Sequence, residues 1–128
     1  MPDRHAFPRR YRLTRTDEFS SVFGFRRAIR GTLFMLHYLP RPDDDDDSRL
    51  GVVVGKKFIR NAVNRNLVKR IARERFRLGR TSLCGYDVIL RVVAKPSRLD
   101  RRQISTEILA LFAKLRPRIR PKAQNIVR

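Results

Sequence analysis

The 128-residue sequence predicts a two-layer α/β (α+β) domain, in which helices cover a mixed sheet of roughly four strands. Three observations carry this expectation. Two short apolar runs, Leu50–Gly55 and Asp87–Val93, flank a long segment of helical period, and strand–helix–strand implies that the two strands run parallel. A further apolar stretch, Ala28–Leu39, precedes them and is stopped by Pro40 and Pro42. The length falls within the ~100–150 residues typical of one domain, and neither an internal repeat nor a linker interrupts residues 1–128.

The elements follow in order. Residues 1–12 are basic and aperiodic, and read as a mobile arm. Thr16, with Asp17 and Glu18 behind it, has the form of a helix cap with first-turn acids. Phe19, Val22 and Phe23 share one face of the short helix that follows, and Gly24 is its expected end. Ala28–Leu39 reads as strand, with a turn at Gly31 and a resumption at Leu33. Asp43–Asp47 form a loop. Leu50–Gly55, β-branched and bounded by glycine, has the pattern of a buried central strand.

A helix is expected from about Asn61 to Leu78. On its wheel Val63, Leu67, Val68, Ile71 and Leu78 fill one arc, and Asn66, Lys69, Arg70, Arg73 and Arg77 the opposite one, with Arg65 on the boundary beside Ala72 and Phe76. Asp87–Val93 supplies the next strand. The last helix starts near Asp100 and presents Ile104, Ile108, Leu111, Phe112 and Leu115 to the sheet. Pro117 and Pro121 end it, leaving a basic tail over 117–128.

Charge points to the partner. Lys and Arg number 31 against 12 Asp and Glu, for a net charge of +19. A compact state so unbalanced repels itself, so a polyanion is expected to neutralise it. Arg dominates over Lys, and its planar fork grips phosphate and stacks on bases, which favours nucleic acid. Between Lys56 and Arg80 ten cations face one acid, Glu74. An ordinary solvated helix interleaves Glu with Lys or Arg at four-residue spacing; this one does not.

These residues also carry a family resemblance. Lys56-Lys57, Asn61-Ala62-Val63, Arg65-Asn66, Lys69-Arg70, Arg73-Glu74 and Phe76-Arg77 resemble the signature of the bacterial ribonuclease P protein component family, as does Arg12-Leu13 ahead of Phe19 and Phe23. The similarity spans roughly residues 11–116, with its most specific part at 51–77. It implies a protein subunit of a ribonucleoprotein in which a large catalytic RNA, holding Mg2+, cleaves the 5′ leader from precursor tRNA, so that the isolated chain is inactive. By resemblance the RNA-binding residues are Lys56, Lys57, Arg60, Arg65, Asn66, Lys69, Arg70 and Arg73. The leader cleft would use Phe19, Phe23 and a residue of the strand Leu33–Leu39, where His37 aligns best and Tyr38 is adjacent; the two point to opposite faces. The resemblance further implies a left-handed crossover, where the general rule is right-handed.

Two departures stand out. Leu67 replaces the last residue of the family's Arg-Asn-Arg motif. The segment Val92–Lys95 matches only with a one-residue shift, so Arg91 and Lys95 are left outside the assigned contacts.

The remaining signals favour assisted rather than protein-only chemistry. No nucleophile–base pair or Gly-rich phosphate loop is present, and His5 and His37 lack catalytic or zinc-site partners. Asp43–Asp47 lack the spaced ligands of a calcium loop. Cys84 is the only cysteine, which excludes an internal disulfide. No apolar run approaches the ~18 residues of a membrane span, and no signal peptide is evident, so cytoplasm is the default. The alternatives are a ribosomal or other structural RNA-binding protein, which composition alone would suggest first, and a DNA-binding protein. A protein-only nuclease would need more carboxylates.

Overall fold

Alternation along the strands divides the sheet between two unlike faces, and the helices are distributed accordingly. The computed structural model describes residues 9–41, 47–79, 83 and 85–115. It contains α1 (Thr16–Phe25), β1 (Ala28–Arg30), β2 (Phe34–Pro40), β3 (Arg49–Val53), α2 (Ala62–Gly79), β4 (Tyr86–Val92) and α3 (Arg101–Lys114). The strands form one four-stranded sheet in the order β1-β2-β4-β3. β3 pairs parallel with β4, while β1–β2 and β2–β4 are antiparallel. The expected mixed α+β architecture is therefore present. His5, Cys84, Asp43–Asp46 and the 117–128 tail lie outside the described residues.

On β2, β3 and β4 the even-numbered positions build the main core, joined by Ile29 of β1. Phe34, Leu36, Leu50, Val88, Leu90 and Val92 meet Val68, Ala72 and Phe76 of α2 and Ile104, Ile108, Leu111 and Phe112 of α3. Phe76 and Phe112 contact edge to face, 6.2 Å between centroids. Each such side chain contributes ~1.5–3 kcal/mol on burial. Odd-numbered positions face α1: Leu39, Val53 and Ile89 pack with Leu13, Phe19, Val22 and Phe23 in a second, smaller cluster.

α3 begins where expected, because the Asp100 carboxylate accepts from the backbone N–H groups of Arg102 and Gln103. Glu107 then reaches across to the β1–β2 turn, where Oε2 accepts from the N–H of Leu33 (2.7 Å) and Phe34 (2.9 Å). The turn needs glycine there: a Cβ on Gly31 would lie 2.5 Å from that same oxygen.

Four local expectations are corrected. Residues 9–12 are not part of a free arm; Arg9–Tyr11 form a 3-10 turn, Tyr11 is buried, and Arg12 bridges to Leu50. β3 is an edge strand, not a central one, and its apolar character is explained by this N-terminal segment lying along its open side. The N-cap of α1 is Arg15 and not Thr16, because Glu18 Oε1 accepts from the N–H of both Thr14 and Arg15. Gly24 lies inside α1, which ends instead at Arg26 in a left-handed conformation (φ 62°).

The phase of α2 is the fourth correction. Its extent is as expected, but the stripe centres on Val68, Ala72 and Phe76, all fully buried, while Val63 is 74% exposed and Leu78 58%. Small Ala72 is fully buried between Val68 and Phe76, so the arc chosen by hydrophobicity alone is rotated away from the true contact.

Candidate nucleic-acid interface

The interface begins with how α1 is held. Asp87, at the start of β4 and nearly buried, accepts two bonds from Arg49 (Nε to Oδ1, 3.0 Å; Nη2 to Oδ2, 2.8 Å) and one from Arg41 (2.7 Å). The same Arg49 donates through Nη1 to Glu18 Oε2 at 2.7 Å. One guanidinium thus ties β3, β4 and the first turn of α1 together. Its pKa is raised, chiefly by the Asp87 hydrogen bonds. Glu18 is shifted the other way: the Arg15 N–H, and further the Thr14 N–H and Arg49, hold its carboxyl below 4.5 against an opposing effect of burial.

So anchored, α1 covers one end of the odd-numbered sheet face and leaves the other end open. Phe19 lies over Gly51, where a Cβ would come within 2.7 Å of its ring. Phe23 meets His37 edge to face, 4.8 Å between centroids. His37 Nε2 accepts from Arg91 Nε at 3.2 Å, which places the imidazole proton of the neutral ring on Nδ1. Burial first, and the Arg91 charge second, push the His37 pKa below 6.5. Arg91 pairs in register with Met35, which pairs with Arg30, so two cations border this open patch.

The structure therefore brings Phe19, Phe23 and His37 to one face of the sheet and puts Tyr38 on the other. Tyr38 faces the main core and packs edge-on against Tyr86. Arg91 was missed as part of this patch. Its odd-numbered place on β4, opposite Met35, is the signal that would have found it.

The cations of α2 are not equivalent. Asn61 caps the helix, its Oδ1 accepting from the N–H of Val63 (2.7 Å) and Asn64 (3.3 Å). Lys56, Lys57, Arg60, Asn66 and Arg70 are exposed, whereas Arg65, Lys69 and Arg73 are half-buried. Arg65 Nη1 donates to the carbonyls of Ile59 (3.1 Å) and Arg60 (2.7 Å), which fixes the loop that carries Lys56, Lys57 and Arg60. Arg73 has its pKa lowered by burial and by the neighbouring Arg12 guanidinium. Glu74 is bound to Arg77 within the same helix, at 2.8 Å.

Lys56, Lys57 and Arg60 line a shallow depression together with Lys95. Sequence reasoning left Lys95 out. Only the turn after β4, which returns the chain to the loop before α2, brings it there. Among the described residues no group of three or more His, Cys, Asp or Glu side chains is placed to hold a metal ion, and no helix is long and apolar enough to cross a membrane.

A small α+β scaffold bearing a broad phosphate-ready surface, with an aromatic and cationic patch on its open sheet face, defines a protein built to engage a polyanion. The family model described as Ribonuclease P matches residues 7–116. The chain belongs to the ribonuclease P protein family. It is 54% identical over 105 residues to the ribonuclease P protein component of Azoarcus sp. (strain BH72), covering 82% of this chain and 86% of the relative. Identity to the corresponding protein of Ralstonia pickettii (strain 12J) is 52% over 96 residues, 75% of this chain and 67% of the relative. The fold is similar to the RNase P protein of Staphylococcus aureus (TM-score 0.72, 25% identity, 82% of this chain and 96% of that one). It is also similar to that of Thermotoga maritima (TM-score 0.69, 29% identity, 80% and 96%).

Proposed function

We propose that this ribonuclease P subunit grips the catalytic RNA with its α2 surface and holds the 5′ leader of precursor tRNA against the open sheet face. The supporting observation is the convergence of Phe23, His37 and Arg91 on one patch of that face. Single-stranded nucleic acid is held with little sequence preference by ring faces in a cationic groove, each stack worth ~1–3 kcal/mol. Such a surface suits leaders of many sequences.

The residues divide the work. Lys56, Lys57, Arg60 and Arg70, all exposed, take phosphates of the RNA partner, with Asn66 beside them as a hydrogen-bonding group. Arg65 shapes the loop that carries three of these cations, and Lys69 and Arg73 contribute from the helix flank. Phe19 is seated on Gly51 and supports Phe23, which shares the exposed edge of the patch with His37. Mature tRNA has no leader to lay on this patch, so the protein favours precursor over product.

In this reading hydrolysis belongs to the RNA partner, where bound Mg2+ supplies charge neutralisation at the scissile phosphate. Among the described residues, the acids near the interface do not suit a divalent cation. Glu18 and Asp87 are engaged by arginines, and the surrounding cations would repel the metal. The chain acts in the cytoplasm, where precursor tRNA is processed. The ribosomal alternative is not favoured, since the relatives are ribonuclease P components.

The test is to reconstitute the chain with its ribonuclease P RNA and measure the affinity for precursor and mature tRNA, with and without protein. The protein should raise the precursor-to-mature ratio, and Phe23→Ala should return most of that gain, on the order of tenfold for the removal of one stack. A ratio that the protein leaves unchanged would defeat the proposal.

A further inference from the structure

A second cationic surface lies away from the sheet patch, where α2 and α3 pack side by side. Between them runs a groove of about 450 Å3 with Leu67 and Ile71 in its lining, bordered by Arg70 and Arg75 from α2 and Arg101 and Arg102 from α3. Three features distinguish it from an ordinary seam between helices.

Charge is the first. Four guanidinium groups face a single carboxylate, Glu74, which is ion-paired with Arg77. The acids of α3 do not compensate. Asp100 accepts from the backbone at the helix start, and Glu107 is turned to the β1–β2 turn. Shape is the second. Leu67 and Ile71 remain half-buried rather than closed over, offering an apolar strip among cations. Leu67, the departure from the Arg-Asn-Arg motif, thus lines the groove instead of joining the core. Continuity is the third. Arg70 belongs both to the exposed surface of α2 and to the groove wall, so a polyanion lying along α2 meets the groove without a break.

We infer that the α2–α3 groove is a second RNA-contact surface, in which the four arginines hold phosphodiester groups and Leu67 and Ile71 seat one unpaired base. Guanidinium groups grip phosphates in pairs and stack on base planes, and the apolar strip accepts the face of a base, a combination that suits RNA better than an acidic peptide. Ser105 and Thr106, also on the wall, supply hydroxyls able to bond a ribose 2′-OH. The inference rests on the proposed function only in taking ribonuclease P RNA as the polyanion.

The experiment uses the full chain and transcribed ribonuclease P RNA, with affinity measured across a salt series and backbone protection mapped on the RNA. Arg101→Glu with Arg102→Glu is the informative variant. Both residues are exposed in the first turn of α3, where acids favour the helix, so folding is preserved. It should weaken RNA binding at least tenfold and reduce the magnitude of the logarithmic salt slope by about 2, near 0.9 for each phosphate that the protein ceases to neutralise. Protection should vanish over an RNA segment different from the one that Lys56→Ala with Lys57→Ala lays bare. Leu67→Ala should weaken binding several-fold with the salt slope unchanged. Unaltered affinity and slope in the Arg101/Arg102 variant, while the Lys56/Lys57 variant is weakened, would overturn the groove inference alone. Insensitivity of both variants would overturn it together with the proposed RNA grip. Loss of an acidic protein partner, with RNA binding intact, would assign the groove to protein and overturn the inference.

Discussion

Replacing Gly51 with alanine drives a methyl group into the ring that α1 lays over β3. A Cβ at this position lies 2.7 Å from Phe19 Cε1, 2.8 Å from Phe19 Cζ and 3.4 Å from Ile89 Cγ1. Carbon atoms pack comfortably at ~3.5–4.0 Å, so the ring tip must retreat by roughly 0.8 Å. Ile89 and Val22 are fully buried and leave little slack, whereas half-buried Phe19 can swing toward solvent. Overpacking of this kind costs ~1–3 kcal/mol, and the freedom of the ring tip places the cost near the lower end. Removing a glycine offsets part of it by ~0.4–1 kcal/mol through the unfolded chain. With the overpacking at ~1.5 kcal/mol and the offset at ~0.5–1 kcal/mol, the expected net loss is about 0.5–1 kcal/mol. Gly24→Ala provides the control. No atom lies within 4 Å of a Cβ placed there, in the last turn of α1, and helix propensity alone should stabilise by part of the ~1 kcal/mol that separates Ala from Gly in a helix interior. Urea denaturation of the two variants should therefore give midpoints displaced in opposite directions from the parent, with equal m-values. Gly51→Ala matching or exceeding the parent in stability would refute the close seating of Phe19 on β3.

Asp87→Ala should destabilise by about 3 kcal/mol, because it strips the shared carboxylate from two largely buried arginines; Asp87→Asn should cost less, and chemical denaturation separates them. Glu18 has a depressed folded pKa, so its contribution is complete above the unfolded value and is lost as pH falls through the folded value, below 4.5. Hydrogen exchange in α1 should accelerate across that acid window in the parent, and Glu18→Gln should show fast exchange without the pH step. His37 also has a depressed pKa, but as a base: below 6.5 the unfolded chain binds a proton that the folded chain refuses. Stability from this source is therefore full above 6.5 and declines as pH drops toward the folded value. NMR titration should give His37 a pKa under 6.5, and His37→Phe should remove that slope; a titration midpoint at or above 6.5 would contradict the burial of the ring and its contact with Arg91.

The parts of the fold with strong periodicity are readable from the chain alone. Ile104, Ile108, Leu111, Phe112 and Leu115 are buried as their spacing requires, and Asp100 caps α3 as its chemistry requires. The extent of α2 is also legible. Its phase is not, because Val63 and Leu78 carry hydrophobicity that packing does not use, while Ala72 is fully buried although its small side chain does not advertise it. β3 looks central because covering by residues 9–13 produces the same apolar pattern as flanking strands. At the interface, helical spacing puts Phe19 and Phe23 on one face, but singling them out with His37 rests on the family resemblance, since strand alternation separates His37 from Tyr38 without saying which of them faces α1. Arg91, Lys95 and the arginines of α3 are not legible, since their proximity to those residues or to α2 depends on long-range register and on how two helices lie together.

The allocation of odd and even strand positions to different tasks has an evolutionary consequence. On β2, His37 and Tyr38 are neighbours in sequence, yet one contributes to an open surface and the other to the packed interior. Substitutions on the first set can retune what the surface accepts while the interior stays intact, so recognition can drift without refolding. A slip of one residue in strand pairing would exchange the two sets, and selection must therefore guard registration more strictly than the identity of any one surface side chain.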